Sequence, residues 1–186
     1  MQDYQKFLLL DRDGVINEER SNYVLSWKQF KFKSDFIEHV GSIKRYFQHV
    51  VVITNQSCVG RGLIAQAELD DIHHKMLYEI ANANGHIDSV YYSIGRDLSD
   101  PERKPNIGLL SKLKADYPTF DPNHAIMIGN RETDMQFAKI GNITGIHYTN
   151  DGSEDELPVG LARWQMANWG QFDGLMREIM KVELNS

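Results

Sequence analysis

The sequence predicts an α/β fold, a three-layer, Rossmann-like arrangement in which a parallel sheet lies between two layers of helices. Short apolar runs typical of buried strands alternate with segments whose apolar residues have helical spacing. This alternation favours parallel strands joined by crossover helices. The chain has 186 residues, of which 41% are hydrophobic and 25% charged, and this composition suits one globular domain with a single core.

The strands and helices are expected in strict alternation. Five strands are predicted at residues 7–10, 50–54, 89–93, 125–128 and 144–148. Four helices are predicted between them at residues 35–47, 66–84, 107–116 and 132–140. The first strand, Phe-Leu-Leu-Leu, is apolar at every position, which is typical of a parallel strand buried on both faces.

The helix at residues 66–84 has a clear apolar stripe. Its members are Leu69, Ile72, Met76 and Ile80. Gly85 is expected to end the helix. His73 and His74 on the same helix are interpreted as surface or packing residues and not as metal ligands.

We assign residues 1–150 to the main domain and residues 151–186 to a C-terminal extension. The extension opens with an acidic connection at residues 152–156 and then supplies apolar residues expected to pack on the same domain. These are Trp164, Trp169, Phe172, Leu175, Ile179 and Met180. A partner surface at the two tryptophans is the alternative, and the oligomeric state stays open.

Composition excludes several classes of function. The formal charge of -6 argues against a general nucleic-acid or membrane-surface binder, because either favours a basic face. No apolar segment is long enough to span a bilayer, and the polar N-terminal residues lack a signal-peptide core, so we expect a cytoplasmic protein. Cys58 is the only cysteine, which rules out an intrachain disulfide and a zinc cluster built from thiolates.

Two carboxylates, Asp11 and Asp13, follow the first strand and precede Gly14. Open α/β sheets form their sites at the carboxyl ends of strands, so these acids are candidates for chemistry. Residues two apart on an extended segment point the same way, and Gly14 lets the chain turn. Asp11 could attack phosphorus if a cation neutralised its charge, while Asp13 acted as acid and then base. Solvated loop acids are the alternative for an isolated motif of this kind.

Four ordered motifs resemble those of the haloacid dehalogenase superfamily. They are Asp11-Arg12-Asp13-Gly14-Val15-Ile16-Asn17, Val51-Val52-Ile53-Thr54-Asn55-Gln56-Ser57, Arg103-Lys104-Pro105, and Ile128-Gly129-Asn130 with Asp134. The match covers most of the chain, and the ordered set is highly specific. Within the superfamily the chain looks most like small phosphatases that act on D-glycero-D-manno-heptose 1,7-bisphosphate, with histidinol phosphate phosphatases as near relatives. The resemblance implies a haloacid dehalogenase-like fold without a large cap domain.

The resemblance implies a catalytic set and a magnesium site. The catalytic set is Asp11, Asp13, Thr54 and Lys104, in which Thr54 donates to the phosphate and Lys104 offsets charge in the transition state. The metal set is Asp11, Asp13 through its backbone carbonyl, Asn130 and Asp134. Asp134 would support Lys104 or a metal-bound water, and a helix-face acid without such a role is the alternative.

A third set of residues is expected to contact the substrate. It comprises Arg12, Glu19, Arg20, Asn22, Asn55, Gln56, Ser57, Arg61, Arg103 and Arg131. Its arginines would form a locally basic mouth on an acidic protein, which suits a small phosphorylated metabolite. By analogy, the segment at residues 17–34 shapes the substrate pocket. Tyr23 and Trp27 within it are expected to pack over the sheet edge, and the roles of Arg20 and Asn22 stay open.

The chain departs from its relatives at two places. Asn130 stands where most members of the superfamily have an aspartate, and an uncharged amide oxygen should bind magnesium more weakly. The heptose phosphatases commonly carry a zinc-binding cysteine loop before the Arg-Lys motif, whereas residues 93–102 contain no cysteine, so no zinc is expected.

The sequence therefore predicts a Mg²⁺-dependent phosphomonoesterase that works through an aspartyl phosphate. Its substrate would be a sugar phosphate such as a heptose bisphosphate. Histidinol phosphate or another metabolite is an alternative substrate, and a non-catalytic phosphate-binding module with a weakened metal site is an alternative function.

Overall fold

The computed structural model of the chain describes residues 6–149 and 157–184. Its strands are β1 (Phe7–Leu10), β2 (His49–Asn55), β3 (Ser89–Ser93), β4 (Ala125–Gly129), β5 (Thr144–Tyr148) and β6 (Trp164–Met166). They form one sheet in the order β3-β2-β1-β4-β5-β6, in which every neighbouring pair is parallel. The predicted α/β fold is confirmed, and β6 adds a strand that the sequence pattern did not indicate.

The helices lie in the connections between strands and at the C-terminal end. They are α1 (Ser34–His39), α2 (Ser57–Gly60), α3 (Gln66–Asn82), α4 (Gly108–Asp116), α5 (Glu132–Ile140) and α6 (Phe172–Leu184). The single helix predicted at residues 35–47 is instead α1 followed by a 3-10 segment, Val40–Arg45. Gly41 lies at this change, and glycine has a low helix propensity.

The end of α3 differs in detail from the prediction. Asn84 adopts the left-handed conformation with φ 60°, and the amide of Gly85 donates to the Ile80 carbonyl oxygen at 2.9 Å. This arrangement satisfies a carbonyl group that the helix end would otherwise leave without a partner. The helix therefore stops at the predicted place, with asparagine and not glycine in the left-handed position.

Hydrophobic residues cover both faces of β1. Leu8 and Leu10 belong to the core on one side of the sheet, and Phe7 and Leu9 belong to the core on the other. All four are fully buried, and burial of a side chain of this size contributes about 1.5–3 kcal/mol. Since both faces of the strand are sealed, the first polar side chain it can offer is that of Asp11, at its carboxyl end.

Residues 157–184 add to the same sheet and core. β6 pairs with β5 in parallel, and Trp169 and Phe172 are fully buried in the core that contains Leu8. The indole Nε1 of Trp169 donates to the backbone oxygen of Val15 at 3.1 Å. The acidic connection at residues 152–156 lies outside the described residues. None of the described helices combines the length and apolar character needed to cross a bilayer.

Candidate active site

A cavity of about 440 Å³ lies where β1, β2 and β4 end. Twelve of the predicted site residues line it: Asp11, Asp13, Glu19, Arg20, Asn22, Thr54, Asn55, Ser57, Arg103, Lys104, Arg131 and Asp134. The other four predicted residues, Arg12, Gln56, Arg61 and Asn130, are not part of its lining. Convergence at one sheet edge follows from the parallel strands, because their carboxyl ends all point the same way.

A buried lysine lies at the base of the cavity. The Nζ atom of Lys104 donates to Oδ1 of Asp11 and to the backbone oxygen of Ile53, both at 2.8 Å, and forms an ion pair with Oδ1 of Asp134 at 2.6 Å. Burial would lower the pKa of Lys104, but the two carboxylates outweigh this effect and raise the pKa. The lysine is therefore a fixed positive charge beside Asp11.

Burial also changes the pKa of Asp11. Desolvation, together with the charges of Asp134 and Asp13, raises the pKa of Asp11 to about 7 against the lowering effect of Lys104. When Asp11 is ionised, its charge and that of the Asp134 carboxylate together exceed the charge of Lys104 by one negative unit. A cation bound at Asp11 would therefore relieve a charge that burial makes costly.

Asn55 fixes the backbone of Lys104. Its Oδ1 atom accepts from the Lys104 amide at 2.9 Å, and its Nδ2 atom donates to the Lys104 carbonyl oxygen at 3.1 Å. Asn55, which was expected to contact the substrate, therefore also holds the backbone of Lys104 in place. Neighbouring Thr54 accepts from Nε2 of Gln56 at 3.0 Å, which leaves the Thr54 hydroxyl hydrogen available to a phosphate oxygen.

Asp13 is surrounded by hydrogen-bond donors. Its Oδ1 atom accepts from Arg12 at 3.0 Å and from Asn17 at 2.9 Å, and its Oδ2 atom accepts from Arg12 at 2.9 Å and from Gln56 at 2.8 Å. Burial alone would raise the pKa of Asp13, but the guanidinium group and the two amides hold it below its ordinary value. Asp13 is accordingly an anion in the resting site.

The expected substrate contact of Arg12 requires correction. Its side chain is fully buried, and its Nη1 atom lies 3.0 Å from Nε2 of His73 on α3. Burial, assisted by the charge of Arg12, lowers the pKa of His73 to about 3. The neutral ring can then accept from the guanidinium group. His73 is a site residue that sequence reasoning missed, although its place beside Ile72 and one turn after Leu69 marked it as buried.

Gln56 and Arg61 also lie elsewhere than expected. Gln56 is buried and bonds to Asp13 and Thr54, so it organises other site residues instead of reaching the cavity. Arg61 is exposed beyond α2, and its Nη2 atom lies 3.5 Å from the backbone oxygen of Arg96. The turn after α2 carries this arginine past the cavity edge.

The two aromatics of the segment at residues 17–34 have different places. The Tyr23 hydroxyl lies 3.0 Å from Oγ of Ser57, and both residues line the cavity, so the expectation that Tyr23 packs over the sheet edge is wrong. The ring of Trp27 stacks on Phe30 at 5.0 Å and contacts the core, as a packing residue does.

Cationic side chains lie around the mouth of the cavity. Arg20 and Arg131 are exposed, and Arg103 is half-buried with its Nη1 atom donating to the Gly95 oxygen at 3.0 Å. Arg131 forms a close ion pair with Glu19. Cationic side chains therefore face the cavity at two places, Lys104 at the base and these arginines at the mouth.

The oxygen atoms near Asp11 fit a hard divalent cation. The described residues contain no cluster of three or more histidine, cysteine or acidic side chains suited to a metal, so a site here must use amide or backbone oxygens as well. The Oδ1 atom of Asn130 is buried and has no hydrogen-bond partner among the described residues. A carboxylate and an amide oxygen are ligands that Mg²⁺ accepts. Asp134 has one oxygen on Lys104 and the other on the Arg131 amide at 3.0 Å, which favours its role as support of the lysine.

Comparison with known proteins relates this geometry to named enzymes. The family model for polynucleotide kinase 3 phosphatase matches residues 6–145. The D-glycero-beta-D-manno-heptose-1,7-bisphosphate 7-phosphatase of Escherichia coli (strain K12) is 30% identical over 144 residues, which cover 73% of this chain and 74% of that protein. The D-glycero-alpha-D-manno-heptose-1,7-bisphosphate 7-phosphatase of Mycobacterium tuberculosis (strain ATCC 25618 / H37Rv) is 30% identical over 137 residues, which cover 73% and 72%.

A solved structure gives the same picture. The D,D-heptose 1,7-bisphosphate phosphatase from B. bronchiseptica, complexed with magnesium and phosphate, superposes with a TM-score of 0.82 at 25% identity and covers 94% of this chain and 99% of that one. The family match extends over most of the chain, and the relatives are phosphatases of similar length and fold. This chain belongs to the polynucleotide kinase 3 phosphatase family of haloacid dehalogenase-like phosphatases.

Proposed function

We propose that this protein is a Mg²⁺-dependent phosphomonoesterase that acts through an aspartyl phosphate on a phosphorylated sugar of the heptose 1,7-bisphosphate class. The observation that carries this proposal is the placement of cationic side chains at two separate parts of one cavity. Lys104 is fixed beside Asp11 at the base, and three arginines lie at the mouth. A monophosphate needs one such region, whereas a bisphosphate suits two.

In the first step, the Asp11 oxygen that Lys104 does not hold attacks phosphorus. The bond between phosphorus and the sugar oxygen breaks, and Asp13 gives that oxygen a proton. Asp13 rests as an anion, so it takes up this proton from solvent when the substrate phosphate brings further negative charge, which raises the Asp13 pKa. Lys104 and the Thr54 hydroxyl offset the charge on the phosphate oxygens.

In the second step, water attacks the phosphorus of the aspartyl phosphate. Asp13 takes a proton from the water, the bond between phosphorus and the Asp11 oxygen breaks, and inorganic phosphate leaves. The donors from Arg12, Asn17 and Gln56 hold Asp13 in place for both proton transfers. One acid thus alternates between two protonation states.

Mg²⁺ would be held by the Asp11 carboxylate, the Asp13 backbone carbonyl and Oδ1 of Asn130. When bound, it would neutralise negative charge on the nucleophile and the phosphate. Zinc is not part of this proposal, because the loop at residues 93–102 has no cysteine, and hydrogen bonds hold it. Nδ2 of Asn106, for example, donates to the backbone oxygens of Leu98 at 2.9 Å and Asp100 at 2.8 Å.

The test is phosphate release from a panel of sugar phosphates, including both anomers of heptose 1,7-bisphosphate and histidinol phosphate, with Mg²⁺ titrated. We expect selective turnover of a heptose bisphosphate that depends on the metal. Asp11→Asn should reduce the rate to background while circular dichroism shows an intact fold. Substantial turnover by Asp11→Asn would refute the aspartyl phosphate, and faster turnover of histidinol phosphate would refute the sugar assignment.

A further inference from the structure

Glu19 bridges two consecutive residues of the loop after β4. Its Oε2 atom accepts from Nδ2 of Asn130 at 2.7 Å, and its Oε1 atom contacts Nη2 of Arg131 in a close ion pair. Both oxygens are therefore held by the same short segment. Glu19 belongs to the segment after β1, so this bridge joins the loops that carry Asp11 and Asn130.

The bridge determines which way the Asn130 amide faces. An asparagine side chain can present either its oxygen or its NH₂ group, and the two ends have nearly the same shape. An ionised carboxylate only accepts hydrogen bonds, so Glu19 requires the NH₂ group on its side. The Oδ1 atom then points away from Glu19, where it is buried without a hydrogen-bond partner among the described residues.

Packing against Gly14 limits the freedom of this amide. A Cβ atom placed on Gly14 would lie 2.3 Å from Nδ2 and 3.0 Å from Oδ1 of Asn130, so the amide rests directly on the glycine backbone. The amide is thus enclosed between Glu19 and the loop that follows Asp11. A buried carbonyl oxygen without a partner costs free energy, and a cation beside it would remove that cost.

We propose that Glu19 is a positioning residue that orients Asn130 so that its amide oxygen, and not its NH₂ group, faces Mg²⁺. This inference rests on the proposed function, since it requires the metal site at Asp11 and Asn130. Glu19 was expected to contact the substrate, and we assign it instead a role that acts through Asn130. The two residues form a matched pair, because an aspartate at position 130 would place two carboxylates in direct contact.

Two simpler roles of Glu19 predict different behaviour. If only its negative charge attracted the cation, removal of that charge would weaken Mg²⁺ binding equally with asparagine or aspartate at position 130. If Glu19 only tethered its loop, its removal would alter substrate binding and leave metal affinity unchanged. Orientation of the amide predicts instead that the effect of Glu19 depends on the residue at position 130.

The experiment measures Mg²⁺ affinity by titration calorimetry at one pH and ionic strength, without substrate. The proteins are the wild-type chain, Glu19→Gln, Asn130→Asp and the double variant. Glutamine can donate as well as accept, so it no longer enforces one amide orientation. We expect Glu19→Gln to weaken Mg²⁺ binding about tenfold, the scale found for residues that orient metal ligands. In the Asn130→Asp background the same change should leave the affinity unchanged or raise it.

Glu18→Gln is the matched control. Glu18 precedes Glu19 in the same loop and pairs with Lys31 at 2.7 Å, so its replacement removes the same charge without touching Asn130. An equal loss from Glu19→Gln in both backgrounds, or the same loss from Glu18→Gln, would overturn the inference while the proposed function stands. If the folded wild-type chain binds no Mg²⁺, both the inference and the metal-dependent function fail.

Discussion

At the scale of single residues, the protonation states at the site follow from how each charge is buried. Arg12 is fully buried, yet its charge is compensated. Its guanidinium group forms an ion pair with Asp13 and a hydrogen bond with the neutral ring of His73. Its guanidinium group sets Nη2 against both oxygens of Asp13 while Nη1 lies against His73, and a lysine ammonium has only one nitrogen for these two partners. The protonation state of Asp13 therefore depends on Arg12, a buried residue outside the cavity lining.

We expect Arg12→Lys to lower kcat by about 10²–10⁴, the usual range for loss of general acid–base catalysis, with a small change in KM. The reason is that lysine keeps the charge but has a single nitrogen, which cannot contact Asp13 and His73 from two positions as Nη2 and Nη1 of Arg12 do. Steady-state kinetics under saturating Mg²⁺ measure this effect. Arg61→Lys is the control, since Arg61 is exposed and outside the cavity lining. Equal losses from both variants would contradict this account of Arg12.

We expect Asp11 and Asp13 to make the stability of the protein depend on pH in opposite directions. The pKa of Asp11 is about 7 in the folded protein against an ordinary value of 3.8, so between these pH values the native state holds a proton that the unfolded chain has released. The stability of the metal-free protein should therefore fall as pH rises from about 4 to about 7. The pKa of Asp13 is lowered, so its contribution is present above its ordinary pKa and is lost as pH falls through the folded-state value.

Asp11→Asn should accordingly raise Tm at pH 8 in the presence of a chelator, and Asp13→Asn should lower it. One kcal/mol corresponds to a shift of about 2–4 °C in a chain of this size, so thermal denaturation can resolve either change. Added Mg²⁺ should make the Tm of the wild-type chain higher than that of Asp11→Asn, because the bound cation then neutralises the Asp11 carboxylate. A lower Tm for metal-free Asp11→Asn at this pH would show that Asp11 is not a costly buried charge.

At the scale of elements, the site depends on how the loop after β1 meets the loop after β4. The Asp11 amide donates to the Ile128 oxygen at 3.0 Å, which continues the pairing of β1 with β4 by one residue. Gly14 then turns the chain with φ +85° and brings its backbone against Asn130. The turn needs glycine both for its conformation and for the close approach.

Gly14→Ala and Gly62→Ala separate these two requirements. Both glycines have positive φ, but an added Cβ meets Asn130 at position 14, whereas at position 62 it meets no atom of the described residues within 4 Å. Gly62→Ala should cost about 1–2 kcal/mol for the left-handed backbone alone. Gly14→Ala should cost more and should also weaken Mg²⁺ binding, since Asn130 has to move. Urea denaturation and metal titration measure these effects, and equal stability losses with unchanged metal affinity would refute the close approach.

The elements also show how far sequence reasoning reached. The strands were predictable because continuous apolar runs identify strands buried on both faces, and polar motifs directly after them marked the cavity. The side-chain directions of Arg12, Gln56 and Tyr23 could not be predicted. A motif gives a residue's position along the chain, but it does not determine which neighbour a long side chain contacts. β6 was missed because Trp164–Met166 is three residues long, too short for a periodic signal.

At the scale of the whole molecule, the C-terminal segment contributes to the site from a distance. Trp169 is fully buried, its ring contacts Phe36 and Phe172, and its indole nitrogen bonds to the Val15 oxygen in the loop after β1. Its backbone amide donates to Asp35 at 2.9 Å. The segment farthest along the described chain therefore helps hold the loop that carries Asp11 and Asp13.

Trp169→Phe tests this connection because phenylalanine keeps a ring in the core but cannot donate to Val15. The loss of one buried hydrogen bond should lower the free energy of unfolding by about 1–3 kcal/mol, since the Val15 oxygen is left without its partner. We also expect kcat to fall while KM changes little, as the loop with Asp11 gains freedom. Trp164→Phe is the control, because Trp164 packs on the same core from β6 and, within the described part of the chain, makes no hydrogen bond to this loop. If Trp164→Phe lowers kcat as much as Trp169→Phe does, general packing and not the bond to Val15 links the C-terminal segment to catalysis.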